Sequence, residues 1–324
     1  MKANDTDLIP RSVLFGNPDK AALKLSPDGK RLAFLAPVEG VLNVWVGPAD
    51  DPGAAKPVTE DKERGIRNYS WAYTNEHILY RQDKAGDENW RVYVTDLGTG
   101  KTRDLTPFDG VQAQIKKVCH EFPDEILVGL NNRDPKYHDI HRVNIRTGEM
   151  SLVQENRDFS GFIIDDDYNV RFASRMTEDG GEEVLRHTDE GGWELFTKVP
   201  MEDTFTSGHL GFDRSGKVQY RRESRGRNTA ALVALNLVTG EERLLAEDSR
   251  VDIGGVMFHP TERFPQAAAF TYERKRWVIL DDGVKDDFAY LQAVADGDFN
   301  VTSRTLDDQH WIVAYNVDDG PTRY

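Results

Sequence analysis

The chain has 324 residues, a formal net charge of −15 and a hydrophobic content of 38%. The acidic balance argues against a nucleic-acid partner, because phosphates require a basic protein surface. No apolar run approaches the roughly 18 residues that cross a membrane, and the single cysteine, Cys119, excludes an intramolecular disulfide framework.

The first segment, residues 1–19, is predicted to be a lead-in that precedes the folded domain. Its stretch from Leu8 to Gly16 is partly apolar. The stretch from Met1 to Arg11 is polar and lacks an apolar signal segment, so the sequence fits either a cytoplasmic or a periplasmic protein. The folded domain is predicted to occupy residues 20–324.

Through residues 20–324 a polar turn followed by an apolar run recurs every 43 to 49 residues. The turns are centred on Asp28, Asn75, Asp124, Asp167, Ser215, Glu262 and Asp308. A period in the forties with strand-like runs is typical of a β-propeller, with one four-stranded antiparallel blade per repeat. We therefore predict an all-β protein in which each turn joins the first two strands of a blade.

A second series of turns contains glycine and follows the same period. Its members are Gly53, Gly100, Gly148, Gly192, Gly240 and Gly283. Glycine supplies the positive φ of a tight hairpin, so these turns are predicted to join the third and fourth strands. Extending the series by roughly 46 residues passes the last residue, Tyr324. The prediction is a seven-bladed propeller with six complete blades, a truncated seventh, and no helix longer than two turns.

The predicted blades follow directly from the two series of turns. They cover residues 21–59, 67–106, 111–154, 158–198, 206–247 and 252–291, with a partial blade from residue 298. If that last blade lacks its outer strands, we expect either that its open edge pairs with a second copy of the chain or that the last residues, roughly ten, are disordered. The apolar lead-in from Leu8 to Phe15 is the segment that could shield the edge instead.

No motif of catalysis is found in the sequence. The Gly-x-Ser-x-Gly elbow of α/β-hydrolases, the P-loop and the dinucleotide fingerprint do not occur. His138 and His141 are three residues apart, which on a strand places them on opposite faces and does not suit one metal ion. Residues 296–300 imitate half a calcium loop, but Val301 occupies the position that requires glycine. We predict no catalytic residue, no cofactor and no metal.

Two features leave alternatives open. Residues 221–228 form the densest basic cluster of this acidic chain and are predicted to join the second and third strands of blade five. They form either a charged surface loop or a contact to a substrate carboxylate or a neighbouring domain, with Arg225, Arg227 and Asn228 as the candidates. Cys119 is either a buried thiol or a reactive one whose pKa is lowered by Lys117 and His120.

Several segments carry a resemblance to known families. Residues 26–34 resemble the blade signature of TolB-type propellers. A longer pattern resembles the prolyl oligopeptidase family of serine peptidases, in its acylaminoacyl peptidase-like branch. It consists of residues 9–18, 43–46, 57–59, 69–72, 77–80, 224–232 and 307–313. The resemblance covers nearly the whole chain.

In that family a seven-bladed propeller precedes a C-terminal α/β-hydrolase domain and limits access to short peptides. The resemblance implies that this chain gates and positions short peptides for a hydrolase domain that it does not contain, and that it is inactive alone. No residue here matches a position of the catalytic triad. The alternative is a stand-alone TolB-like propeller that binds a protein. A propeller enzyme with its own active site is a third possibility, which the histidine spacing does not favour.

Overall fold

Antiparallel sheets of consecutive strands follow one another along the chain in the computed structural model, which describes residues 8–188 and 190–324. Before the first sheet, helix α1 covers Arg11–Phe15 and is exposed along its length. The first five sheets have four strands each, paired in chain order. They are the first five blades of a propeller.

The bounds of the strands are as follows. Blade 1 has β1 Ala21–Leu25, β2 Arg31–Val38, β3 Val41–Pro48 and β4 Lys56–Pro57. Blade 2 has β5 Tyr69–Trp71, β6 His77–Gln82, β7 Arg91–Asp96 and β8 Thr102–Asp104. Blade 3 has β9 Ala113–Val118, β10 Glu125–Asp134, β11 Tyr137–Asn144 and β12 Met150–Gln154.

The remaining strands complete the fold. Blade 4 has β13 Gly161–Ile164, β14 Val170–Met176, β15 Glu182–His187 and β16 Trp193–Val199. Blade 5 has β17 Gly208–Phe212, β18 Val218–Glu223, β19 Ala231–Asn236 and β20 Glu242–Ala246. Blade 6 has β21 Ile253–Phe258, β22 Pro265–Thr271 and β23 Lys275–Ile279. Helix α2, Lys285–Val294, precedes the hairpin of β24 Asp298–Arg304 and β25 Trp311–Asn316.

The predicted turns between first and second strands are confirmed, because all seven anchor residues lie between such strands. The second strands are buried on both faces. In β2, for example, Leu32 to Ala36 are all buried. A strand sandwiched between neighbouring blades has no solvent face, and it therefore reads as a continuous apolar run rather than an alternating one.

The predicted blade count is wrong. The structure has six blades, and the truncated seventh blade is not confirmed, because β24 and β25 form a two-stranded hairpin. Blade 6 has three strands instead of the predicted four. Gly283, predicted in a hairpin, lies in a 3-10 turn at Asp282–Val284, where Asp281 accepts a hydrogen bond from its N–H.

Helix α2 takes the place of the predicted fourth strand of blade 6, so the expectation of no helix beyond two turns is also wrong. Its ten residues carry Asp286 and Asp287 in the first turn. Acidic side chains there stabilise a helix by interacting with its N-terminal N–H groups. Phe288 is buried, and Leu291, one turn further, is half-buried on the same side.

The hairpin closes the ring between blade 6 and blade 1. On one side the guanidinium of Arg304 donates to the carbonyl of Phe258, with an N–O distance of 2.9 Å. On the other side the N–H of Leu25 donates to Ser303 Oγ over 3.0 Å, and the N–H of Leu306 donates to the carbonyl of Pro27 over 2.9 Å. The chain end also returns to the hairpin, where Tyr315 pairs with Arg323. The predicted self-association through this edge stays untested.

Three of the predicted glycine hairpins are confirmed. Gly100, Gly148 and Gly240 have φ values of 69°, 80° and 77° and join third to fourth strands. A Cβ added at Gly100 or Gly240 would have no atom within 4 Å in the part of the chain that the structure describes. Any cost of substitution at these two positions therefore comes from the backbone conformation alone.

We expect Gly100→Val and Gly240→Val each to lower the free energy of unfolding by roughly 1–3 kcal/mol, because a β-branched residue is strained at positive φ. Urea denaturation measures the change. Gly161→Val is the control, since Gly161 has no positive φ and open space at its Cβ position. Equal stability of Gly100→Val and the control would refute the backbone explanation.

Candidate functional site

The ring has two ends with different connections. The turns between first and second strands lie at one end, here called the turn end. The loops between second and third strands, and those between successive four-stranded blades, lie at the opposite end, here called the loop end. This follows from the antiparallel order of the strands in every sheet.

An ion cluster lies across the axis of the ring at the turn end. Asp166 of blade 4 accepts contacts from Lys117 Nζ of blade 3 at 2.6 Å and from Arg263 Nε of blade 6 at 2.8 Å. Blades 4 and 6 are not neighbours, since blade 5 stands between them, and Arg263 also faces the phenol of Tyr73 in blade 2, across the ring. The cluster therefore obstructs the channel at the turn end.

The positive charges of the cluster stabilise the ionised form of Asp166. Burial alone would raise the pKa of Asp166, but the hydrogen bond and charge of Lys117, together with Arg263, outweigh it and lower that pKa. Nearby, burial raises the pKa of the Tyr73 phenol. Cys119 is fully buried, and burial raises the pKa of its thiol. Of the two interpretations of Cys119, the structure favours the buried thiol.

Asp166→Asn is expected to lower the melting temperature most near pH 7 and progressively less below about pH 4. The folded-state pKa of Asp166 lies below its ordinary value of 3.8, so the carboxylate stabilises the fold above that pH. This contribution is lost as the pH falls through the folded pKa. Melting curves between pH 3 and pH 7 measure the difference, with the exposed neighbour Asp167→Asn as control. A difference independent of pH would contradict the assignment.

The predicted site residues lie at the loop end. Arg225 binds Glu223 with an Nε–Oε1 distance of 2.7 Å and Thr197 of blade 4 with an Nη1–Oγ1 distance of 2.6 Å. Arg227 forms an ion pair with Glu247 at 2.5 Å, and Asn228 is exposed. The structure does not bring the three together around one group. Arg225 tethers two blades, whereas Arg227 and Asn228 face solvent.

A polar cleft of about 320 Å³ lies between blades 4 and 5. Gln219, Arg221 and Glu223 of β18 line it from blade 5 and are 2%, 8% and 7% exposed. Burial would raise the pKa of Glu223, but the hydrogen bond and charge of Arg225 outweigh it and lower that pKa. Burial, assisted by the charge of Lys117, lowers the pKa of His209 to about 4, so this imidazole is neutral at pH 7.

Of the cleft residues, Arg225 was a sequence candidate and Arg221 and Glu223 belong to the basic cluster at residues 221–228, whereas Gln219 and His209 were not singled out. The sequence assigned residues 221–228 to the connection after the second strand of blade five, but β18 extends to Glu223, so Arg221 and Glu223 lie in the strand and not in the loop. Their signal was nevertheless present, because polar residues recur at every second position from Gln219 to Glu223. Alternate residues of a strand share one face. A polar face on a strand that packs between two blades is unusual, and it could have indicated the cleft.

Exposed apolar side chains also lie at the loop end. Met176 ends β14, while Met201 and Phe205 lie between blades 4 and 5, with Phe205 89% exposed. Within residues 8–188 and 190–324, no group of three or more His, Cys, Asp or Glu residues is arranged to hold a metal ion. None of the helices in this part of the chain is long and apolar enough to cross a membrane.

The fold defines this chain as a β-propeller, and its sequence is similar to two curated dipeptidyl peptidases. It is 44% identical over 320 residues to dipeptidyl aminopeptidase BIII of Pseudoxanthomonas mexicana, an alignment that covers 98% of this chain and 46% of that protein. It is 30% identical over 332 residues to dipeptidyl peptidase family member 6 of Caenorhabditis elegans, covering 97% and 45%. No protein-family model matches the chain.

The chain is homologous to dipeptidyl peptidases, and the resemblance to peptidase propellers seen in the sequence is confirmed. It spans about half the length of the curated relatives it matches. Among solved structures, it aligns with the β-propeller domain of the Trilobed protease from Pyrococcus furiosus, at 16% identity and a TM-score of 0.45, covering 82% of each chain.

Proposed function

We propose that this chain is the non-catalytic propeller of a prolyl oligopeptidase-family serine peptidase, and that residues 20–324 form one domain. It positions short peptides, and limits their access, for an α/β-hydrolase domain that lies outside the chain. The observation that carries the proposal is the homology to two dipeptidyl peptidases along nearly all of this chain but only about half of theirs.

The loop end is the end that we propose faces the hydrolase domain. It exposes apolar side chains such as Met201 and Phe205, whose burial against a partner is favourable. The channel at the turn end is obstructed by the ion cluster of Lys117, Asp166 and Arg263. A peptide therefore reaches the channel more readily from the loop end. Arg227 and Asn228, exposed at that end, stay the candidates for contact with substrate or domain.

A binding experiment tests this orientation. The part of dipeptidyl aminopeptidase BIII outside the aligned region is expressed separately and titrated with this chain by calorimetry. We expect saturable binding, weakened at least roughly tenfold by Phe205→Asp, because a charge placed in an apolar interface loses its hydration. Val238→Asp is the control, since Val238 is 74% exposed at the turn end. Equal weakening by both variants, or no binding, would overturn the proposal.

The purified chain alone is expected not to hydrolyse dipeptidyl or aminoacyl chromogenic substrates, because its sequence has no nucleophile elbow. Release of the chromophore measures turnover. Turnover that a serine-directed phosphonate abolishes, in a preparation free of any intact peptidase, would contradict this expectation. If this chain binds an unrelated protein but not the part of dipeptidyl aminopeptidase BIII outside the aligned region, the alternative of a stand-alone binding module would be favoured.

A further inference from the structure

The contact between blades 4 and 5 differs from the other contacts in the ring. Clusters of buried apolar side chains join blades 1 and 2, 2 and 3, 3 and 4, and 5 and 6, and two more join the hairpin to its neighbours. Among residues 8–188 and 190–324 no such cluster joins blades 4 and 5. This contact is here called the polar seam.

The polar seam is held at its two ends. Near the turn end, the rings of Phe172 in blade 4 and Phe212 in blade 5 stack with centroids 6.3 Å apart. Near the loop end, Arg225 of blade 5 donates to Thr197 Oγ1 and to the carbonyl of Lys198 in blade 4. The cleft of about 320 Å³ lies between these two contacts.

Two residues that line the cleft each carry a buried polar atom without a protein partner among the described residues. Gln219 Oε1 and Arg221 Nε make no hydrogen bond within the described chain, although both residues are more than nine-tenths buried. The amide nitrogen of Gln219 is hydrogen-bonded to His209 Nδ1. Arg221 contacts Glu223 through a different nitrogen, with an Nη2–Oε2 distance of 3.5 Å. An unsatisfied buried polar group costs about 1–3 kcal/mol. A ligand or ordered water that satisfies both atoms would remove this cost.

The two orphaned atoms differ in kind and are spaced along one strand. Gln219 Oε1 accepts a hydrogen bond and Arg221 Nε donates one. The residues are two apart on β18, which places their Cα atoms about 6.6 Å apart along the strand. An extended peptide offers N–H and C=O groups to one side at the same repeat. An uncharged amide chain therefore complements both atoms.

One wall of the cleft leaves room for a main chain. Gly208 lies on the innermost strand of blade 5, is exposed, and has no atom of residues 8–188 or 190–324 within 4 Å of the position of a Cβ. It has no positive φ, so its backbone does not require glycine. Glycine in a strand weakens it and often marks the close approach of another backbone or of a ligand.

We propose that the polar seam is a binding site for the main chain of a short peptide, which enters between blades 4 and 5 beside Gly208. The choice of a peptide as ligand rests on the proposed function. The peptide C=O accepts from Arg221 Nε, and a peptide N–H donates to Gln219 Oε1. His209, neutral at pH 7, adds no charge that would select an ionised ligand.

The test uses N-acetyl-Ala-Ala-methylamide, which presents amides without charged termini, and the intact chain. Saturation-transfer NMR is expected to show saturable binding. Gly208→Leu, which places a side chain in the cleft, is expected to weaken binding at least roughly tenfold, and Gln219→Leu is expected to weaken it too. Gly255→Leu is the matched control, because Gly255 also lies on an innermost strand with open space at its Cβ but outside the cleft.

Three results would overturn the proposal. The first is the absence of saturable binding, which would mean that water alone fills the cleft. The second is equal weakening of binding by Gly208→Leu and by the control Gly255→Leu. The third is binding by Gly208→Leu that is as tight as binding by the wild type. Melting curves of each variant show whether it is folded. None of these outcomes depends on docking to a peptidase portion, so failure of the seam and failure of the proposed function are distinguishable.

Discussion

Phe288→Ala is expected to lower the free energy of unfolding by about 3–5 kcal/mol, as is usual for removal of a buried phenylalanine. Phe288 of α2 is only 5% exposed. Its ring lies 5.4 Å from that of Trp277 in blade 6, and 5.5 Å and 6.2 Å from those of Phe299 and Trp311 in the hairpin. The substitution therefore opens a cavity where the ring of blades is closed.

Tyr290→Ala is the matched control for this prediction. Tyr290 lies on the same helix and is 71% exposed, so its loss should change stability by no more than about 0.5 kcal/mol. Urea denaturation of both variants gives the comparison. A small loss for Phe288→Ala would show that α2 does not hold the hairpin to blade 6.

Helix α2 is an element that the sequence analysis did not predict. Val284, Phe288 and Leu291 have the spacing of one helix face, and this signal was available. Gly283, however, also fitted the period of the hairpin glycines, and the repeat was given more weight than the local pattern. Whether a segment pairs as a fourth strand or packs as a helix depends on the neighbouring hairpin, which is a tertiary contact.

The turns could be predicted because their signals are local in the sequence, whereas the site depends on contacts between distant segments of the chain. A turn such as that at Asp28 or Gly100 is determined by a few adjacent residues, so its signal is local. The contact of Asp166 with Arg263 exists only because blades that are not neighbours meet near the axis of the closed ring. Arg225 was found by its local charge, but its partner Thr197 lies in the neighbouring blade. Such pairs cannot be identified until the arrangement of the blades in the ring is known.

The polar seam leads to the second large expected effect. Glu223→Ala is expected to lower the free energy of unfolding by about 3 kcal/mol, because the buried guanidinium of Arg221 then keeps only the half-exposed Glu242 of its two acidic partners, and Arg225 loses its pair with Glu223. Glu223 is 7% exposed and pairs with both Arg225 and Arg221, and the side chain of Arg221 is itself only 9% exposed. Loss of this carboxylate also removes the group that orients Arg225 toward blade 4.

Glu242→Ala separates this effect from the general loss of a negative charge. Glu242 pairs with the same Arg221 but its side chain is 52% exposed, so water replaces it and the expected cost is below about 1 kcal/mol. Urea denaturation measures both variants, and hydrogen exchange should show faster exchange in β16 and β18 only for Glu223→Ala. Equal costs for the two variants would mean that Arg221 is well solvated in the folded chain. The seam would then not be the buried polar contact that its two orphaned atoms indicate.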